Sequence, residues 1–184
     1  KKEEQLSTHE IELKVLHPKA MEQVQFQYAQ YYQKGDVIRS NLFLDRSGIY
    51  YGEYYQVGEI NENHLKNNTV PLITENGQKR TLHLDELPQY SPMQIASGRM
   101  LEIYEEIHLK VAENDKLVIT RNHNSSGLVN STVARVGKIT DSNITLIFDE
   151  NPDKTFALDS NELRHVDHGY VLTNMKVQGK DKKH

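Results

Sequence analysis

Two short stretches decide how this chain is read: KGDVIRSN, Lys34–Asn41, and ENDKLVITRN, Glu113–Asn122. Each sets a turn-forming triplet in front of a β-branched run. Lys34 and Glu113 lie 79 positions apart, and so do Val57-Gly58 in YYQVGEI and Val136-Gly137 in ARVGKI, from 57 to 136. An offset kept across two anchors marks an internal repeat. Farther on, KRTLHLDEL and KTFALDSNEL close the two copies in similar fashion.

Both copies carry strand signals. Val70 to Glu75 and Ile144 to Phe148 are rich in β-branched residues, with Phe148 an aromatic among them, and ENGQK and DENPDK supply turn chemistry. Leu82 and Leu84 alternate with polar neighbours, as on a strand with one buried face. The expected fold is α+β, mostly β: two tandem SH3-like β-barrel units of about 50 residues each, attached to a truncated piece of a RecA-like α/β domain. The expected partition is a strand–helix piece of the RecA-like domain over 1–33, a first barrel over 34–88 and a connector over 89–112. A second barrel then covers 113–163, and a segment over 164–184 re-enters the RecA-like domain. Within the first piece, Ile11 to Leu16 alternates like a strand, and Met21, Val24, Tyr28 and Tyr31 recur at helical spacing, predicting an amphipathic helix whose stripe packs in a core. The second half of the connector, MLEIYEEIHLKV, reads as extended, and the stretch after Gly169 as a short helix.

Composition narrows the function. Among 184 residues, 22 Lys and Arg face 26 Asp and Glu, for a net charge of −4. Tight nonspecific duplex binding draws on phosphate neutralisation, so an acidic chain is poorly suited to it unless a basic face is concentrated locally. The absence of cysteine excludes disulfides and thiolate metal sites. No apolar run is long enough to span a bilayer, and KKEEQLSTHE has no signal-peptide core, so the expected location is the cytoplasm, without membrane insertion.

Nothing fits Gly, four residues, Gly-Lys-Ser/Thr, so nucleotide hydrolysis by this chain is not expected. His165 and His168 flank Asp167 like half of a metal site, yet no second ligand cluster accompanies them, and polar residues at a turn are the simpler reading. The acids of LDEL and LDSNEL recur in both copies, which favours a structural role over paired acid–base carboxylates. No catalytic residue, metal or cofactor is therefore expected. The loop TRNHNSSGLVNS, Thr120–Ser131, offers Arg121, several amides and hydroxyls, and Gly127. Such groups can bind phosphates and sugars, or they can simply cap the turns of a polar hairpin.

The chain resembles the RecD-like superfamily 1 helicase modules of TraI-type conjugative relaxases. In that family a run of the type D-x-L-x-x-T-R-N…G-L-V-N-G enters an SH3-like insert, and here it is matched by Asp115, Thr120, Arg121, Asn122, Gly127, Leu128, Val129 and Asn130. A second run, D-H-G-Y-A-x-T-x-H-K-A-Q-G, re-enters the second motor domain and is matched by Asp167, His168, Gly169, Tyr170, Thr173, Lys176, Gln178 and Gly179. IELKVLHP and YYQKGDVI resemble the approach to the first insert, so the likeness covers nearly the whole chain. Ser131 stands where the family has glycine, and Met175 where it has histidine. The second departure points towards a degenerate helicase copy that keeps DNA binding without hydrolysis.

The resemblance implies a non-catalytic, monomeric fragment of a larger protein that is itself a DNA-nicking relaxase and an ATP- and magnesium-dependent helicase. Its partners would be single-stranded DNA and the coupling protein of a type IV secretion system, which reads the insert region as a translocation signal during plasmid transfer from a bacterial donor. The implied nucleic-acid contacts are Thr120, Arg121, Asn122, Asn130, Thr173, Lys176, Gln178 and Gly179, with exposed tyrosines as candidates for stacking on bases. A protein-interaction module without DNA affinity, docking the coupling ATPase, is the competing reading that the net charge favours.

Overall fold

The repeated triplets are chain reversals with matching hydrogen bonds. Gly35 takes φ +90° and donates its N–H to the Val57 carbonyl at 2.9 Å, while Val57 N–H returns to the Asp36 carbonyl at 2.8 Å. Seventy-nine residues on, Asn114 takes φ +75°, and the Asn114–Val136 and Val136–Asp115 bonds are both 2.8 Å. Each aspartate closes its turn by accepting a backbone N–H three residues upstream, Gln33 for Asp36 and Ala112 for Asp115, both at 2.9 Å.

In this computed structural model residues 9–88, 100–123 and 126–169 are described. They form two antiparallel sheets and little helix, so the fold is mostly β. The strands are β1 (Glu10–Pro18), β2 (Val37–Ser40), β3 (Tyr54–Val57), β4 (Thr69–Thr74), β5 (Lys79–His83) and β6 (Leu101–Ala112), then β7 (Lys116–Ile119), β8 (Val133–Ile139), β9 (Ile144–Phe148), β10 (Asn151–Leu158) and β11 (Val166–His168). One sheet runs β1-β6-β2-β3-β4-β5 and the other β10-β9-β8-β7-β11. Neither strand order closes on itself among the described residues, so open antiparallel sheets stand where barrels were expected.

Two compact units result. One spans His17–Glu106; the other joins the chain up to Leu16 with that from Ile107 onward, and the long strands β1 and β6 carry the chain between them. The core of the first includes Phe26, Tyr32, Ile38, Tyr55, Val70 and Leu82. That of the second includes Leu13, Val15, Leu109, Val111, Val136 and Leu146. The alternation of β1 and the burial of Leu82 and Leu84 follow the sequence pattern. Among the described residues no helix is long and apolar enough to cross a membrane.

The repeat extends through strand register. Val37 faces Gln56 and Arg39 faces Tyr54 across β2–β3; Lys116 faces Arg135 and Val118 faces Val133 across β7–β8, every partner moved by the same interval. Beyond that the copies diverge. Val57 pairs with Leu72 whereas Val136 pairs with Leu146, so the second copy takes a shorter path. The first inserts helix α1 (Glu62–Asn67), capped by Asn61, whose side chain accepts from His64 N–H.

The amphipathic helix expected after Pro18 is instead two 3-10 turns, Gln23–Gln27 and Ala29–Tyr31, broken at extended Tyr28. Val24, Tyr28 and Tyr31 of the expected apolar stripe are exposed, and the buried set is Phe26, Ala29 and Tyr32. The extended Tyr28 between the two turns resets the side-chain directions, so a helical stripe cannot run through the segment. Val24, Phe26 and Tyr28 are weak helix formers. Asn68 fixes the break, accepting from Ala29 N–H at 2.9 Å and donating to the Gln27 carbonyl at 2.8 Å. The expected helix after Gly169 lies outside the described residues.

Candidate nucleic-acid interface

The loop Thr120–Ser131, singled out by its sequence, leaves β7 and returns to β8. It is pinched by a bridge in which His123 N–H donates to the Leu128 carbonyl at 2.9 Å, with Leu128 buried beneath. Ser131 N–H then donates to the Ile119 carbonyl at 2.7 Å, which closes the loop. Ser131 sits at φ +67°, a left-handed conformation that L residues adopt at a cost and glycine without one. Serine therefore stands where the backbone conformation favours glycine.

Sequence reading missed that Asn41–Gly52 is the same loop in the other copy. Leu44 N–H donates to the Ile49 carbonyl at 2.9 Å, Gly52 N–H donates to the Ser40 carbonyl at 2.7 Å, and Gly52 takes φ +83°. Gly48 and Gly127 match at φ +63° and +71°. Carrying the 79-residue offset past KGDVIRSN would have found it. The two side-chain sets obscure the match: Phe43, Tyr50 and Tyr51 in one copy stand where Asn122, Val129 and Asn130 stand in the other, and all six are exposed.

The two sequence motifs meet in one unit. Thr120 N–H donates to the His165 carbonyl at 2.9 Å, and β11 pairs with β7, Val166 opposite Ile119 and His168 opposite Leu117. The glycine of the DHGY run is structural here. Gly169 N–H donates to the Lys116 carbonyl at 2.7 Å, and a Cβ on Gly169 would lie 3.0 Å from Lys116 Cβ. Of the expected contact residues, Thr120 and Arg121 are half-buried and Asn122 and Asn130 are exposed. The Asn122 side-chain oxygen accepts Asn130 N–H at 2.7 Å, which gives Asn122 a turn-holding part. Thr173, Lys176, Gln178 and Gly179 lie outside the described residues. No group of three or more histidines, aspartates or glutamates among the described residues is placed to hold a metal.

Side chains from outside the loop clamp that of the first copy. Glu86, from the LDEL run, accepts from Arg46 N–H and Ser47 N–H at 3.0 Å and from the Ser47 hydroxyl at 2.6 Å. Tyr55, on β3, reaches the loop from below: its hydroxyl accepts from Tyr50 N–H at 2.9 Å and donates to Glu53 at 2.8 Å. Burial pushes the Tyr55 phenol up to about 12, with the Tyr50 N–H opposing and Glu53 reinforcing. Arg46 also pairs with Asp85 and, mainly through that hydrogen bond, holds its carboxyl below the usual range. In the second copy Glu162 serves as a local cap instead, accepting Asp159 N–H at 3.0 Å.

Beside the clamped loop a groove of about 490 Å³ opens between its return arm and the β4–β5 turn, lined by Tyr50, Tyr54, Tyr55, Gln78 and Arg80. Glu53 and Glu75 also line it, so Arg80 is set there among tyrosine rings and carboxylates. No protein-family model matches the sequence, and no curated protein matches it either.

Proposed function

We infer that this chain is a non-catalytic module of a conjugative relaxase–helicase, built on two SH3-like units, that holds single-stranded DNA and presents a surface to a type IV secretion coupling protein in the donor cytoplasm. The observation that carries the reading is the adjacency of the two motifs. The Thr120–His165 hydrogen bond and the β7–β11 pairing set the TRN loop beside the DHG run. A strand held by both motifs would need them side by side, and the adjacency supports that reading.

A fluorescent single-stranded oligonucleotide titrated at two salt concentrations, with a duplex for comparison, tests it. Binding should prefer the single strand and weaken with salt. Arg121→Ala should weaken it and lower the salt slope by about 0.7, the share of one phosphate contact on a single strand. No binding at low salt would remove DNA from the reading. The net charge of −4 favours a second reading, a docking module for the coupling ATPase alone. Capture of that ATPase that survives Arg121→Ala, with no oligonucleotide binding, would establish it.

A further inference from the structure

We propose that the loop Asn41–Gly52 is a nucleobase-stacking platform, with Phe43, Tyr50 and Tyr51 as its rings. The proposal rests on the single-stranded DNA reading above and gives it a place on the molecule that the family-like motifs do not.

The duplication supplies the argument. Both copies build the same loop, with the same bridge, closing bond and left-handed positions. The second copy does so with Asn122, Val129 and Asn130 at the outward positions. Aromatic rings are therefore not needed to fold the loop. Yet the first copy exposes Phe43 by 59%, Tyr50 by 49% and Tyr51 by 69%, three large rings in solvent on one short loop. Phe43 and Tyr50 stand 5.4 Å apart and tilted by 55°, so neither ring lies flat over the other.

The surroundings fit a strand of bases on a phosphate backbone. The Arg39 guanidinium lies 5.9 Å from the centroids of both Tyr51 and Tyr54, and Arg80 passes 3.3 Å from where a Cβ on Gly48 would stand. Arg46 projects from the loop itself, about half exposed. Arg39 and Arg46 already pair with Glu102 and Asp85, and Glu53 and Glu75 line the groove. Phosphate has to compete for these cations, so affinity comes mainly from stacking and the salt dependence is shallow. The Glu86 and Tyr55 clamps hold the loop before a ligand arrives, which limits the ordering cost of binding. A duplex hides its base faces and gains little from such a surface.

The test titrates the full chain with labelled oligothymidylate and with an abasic strand of equal length, following anisotropy and tyrosine emission, which no tryptophan obscures. Phe43→Ala/Tyr51→Ala removes two exposed rings and should leave the circular dichroism spectrum unchanged. Its affinity for oligothymidylate should fall roughly ten- to a hundredfold with the salt slope kept, and the abasic strand should bind the unaltered protein about as weakly. Tyr50→Ala should fall in the same direction, with loss of part of the emission quenching. Equal binding by variant and unaltered protein would overturn the platform while leaving the DNA reading in place. No binding of any strand at low salt would overturn both. Loss of proline-rich peptide binding in the variant, with oligothymidylate binding unaffected, would reassign the rings to a protein partner and overturn the proposal.

Discussion

The duplicated turn allows a stability argument in which one half of the molecule calibrates the other. Asp36 and Asp115 close equivalent turns, each through one backbone N–H at 2.9 Å. Asp36 carries a further load: Lys19 Nζ reaches its two carboxylate oxygens at 3.0 and 2.8 Å. The Asp36 side chain is only 6% exposed, and that of Lys19 is 21% exposed. Losing the turn bond alone should cost about 1 kcal/mol. Removing one partner of a fully buried ion pair costs about 3–5 kcal/mol, but Lys19 can turn its ammonium to water. We assign the pair about 2 kcal/mol on that account. Asp36→Ala should thus cost about 3 kcal/mol and Asp115→Ala about 1 kcal/mol.

Native-state hydrogen exchange reads both effects at equivalent probes, the Val57 and Val136 amides, which donate to the Asp36 and Asp115 carbonyls at 2.8 Å. A difference of about 2 kcal/mol appears as roughly thirtyfold greater acceleration at Val57 in the first variant than at Val136 in the second. Asp36→Asn keeps an acceptor for Gln33 N–H and removes the charge, so it should fall between the two. Equal losses at the two sites, or the greater loss at Asp115, would refute the assignment of the extra stability to Lys19.

Three further outcomes follow from the loops and strands. Gly52→Ser should destabilise by about 1 kcal/mol and Ser131→Gly should stabilise by a few tenths, about 0.5 kcal/mol at most, because relief of left-handed strain is partly offset by glycine's chain entropy; urea unfolding of each variant checks the opposite signs. The Tyr55 phenol is raised in the folded protein to about 12, so its contribution to stability is complete below the ordinary value of about 10 and is lost as pH climbs through the folded value. Tyrosinate absorbance should include a phenol that ionises late in the alkaline titration, and Tyr55→Phe should remove its share of that late rise. Gly169→Ala should push β11 off β7 at a cost of about 1–3 kcal/mol, since the new Cβ meets the Lys116 Cβ and carbonyl at 3.0 and 3.1 Å. Faster exchange at Thr120 N–H, whose acceptor is His165, reads the detachment.

Features with a local cause were legible in the sequence. A Gly-Asp or Asn-Asp turn needs no distant residue to declare itself, alternation marked β1, and β-branched runs marked β4 and β9. The 3-10 turns after Pro18 were not legible, because Met21, Val24, Tyr28 and Tyr31 satisfy helical spacing and no local signal marks the extended break at Tyr28. That break is set by Asn68, about forty residues away, through its bonds to Ala29 and Gln27. Helix α1 buries no residue, so it left no apolar period to read. The joining of Leu13 and Val15 to Leu109 and Val111 in one core is likewise a long-range fact without a local signal.

The comparison of the two loops separates what the backbone requires from what a ligand could use. Positions that turn inward or bend the chain keep their character between the copies: Asp36 and Asp115 close turns, Ile49 and Leu128 are buried, and Gly52 and Ser131 share a left-handed φ even though serine is strained there. The outward positions do not keep theirs, exchanging Phe, Tyr and Tyr for Asn, Val and Asn. Packing cannot explain that pattern, since exposed side chains answer to no core. Nor can loop folding explain the rings, since the polar set folds the same loop, with Asn122 spending its oxygen on Asn130 N–H. What differs between the copies is the chemistry offered to solvent, and that is where a difference in partner would be written.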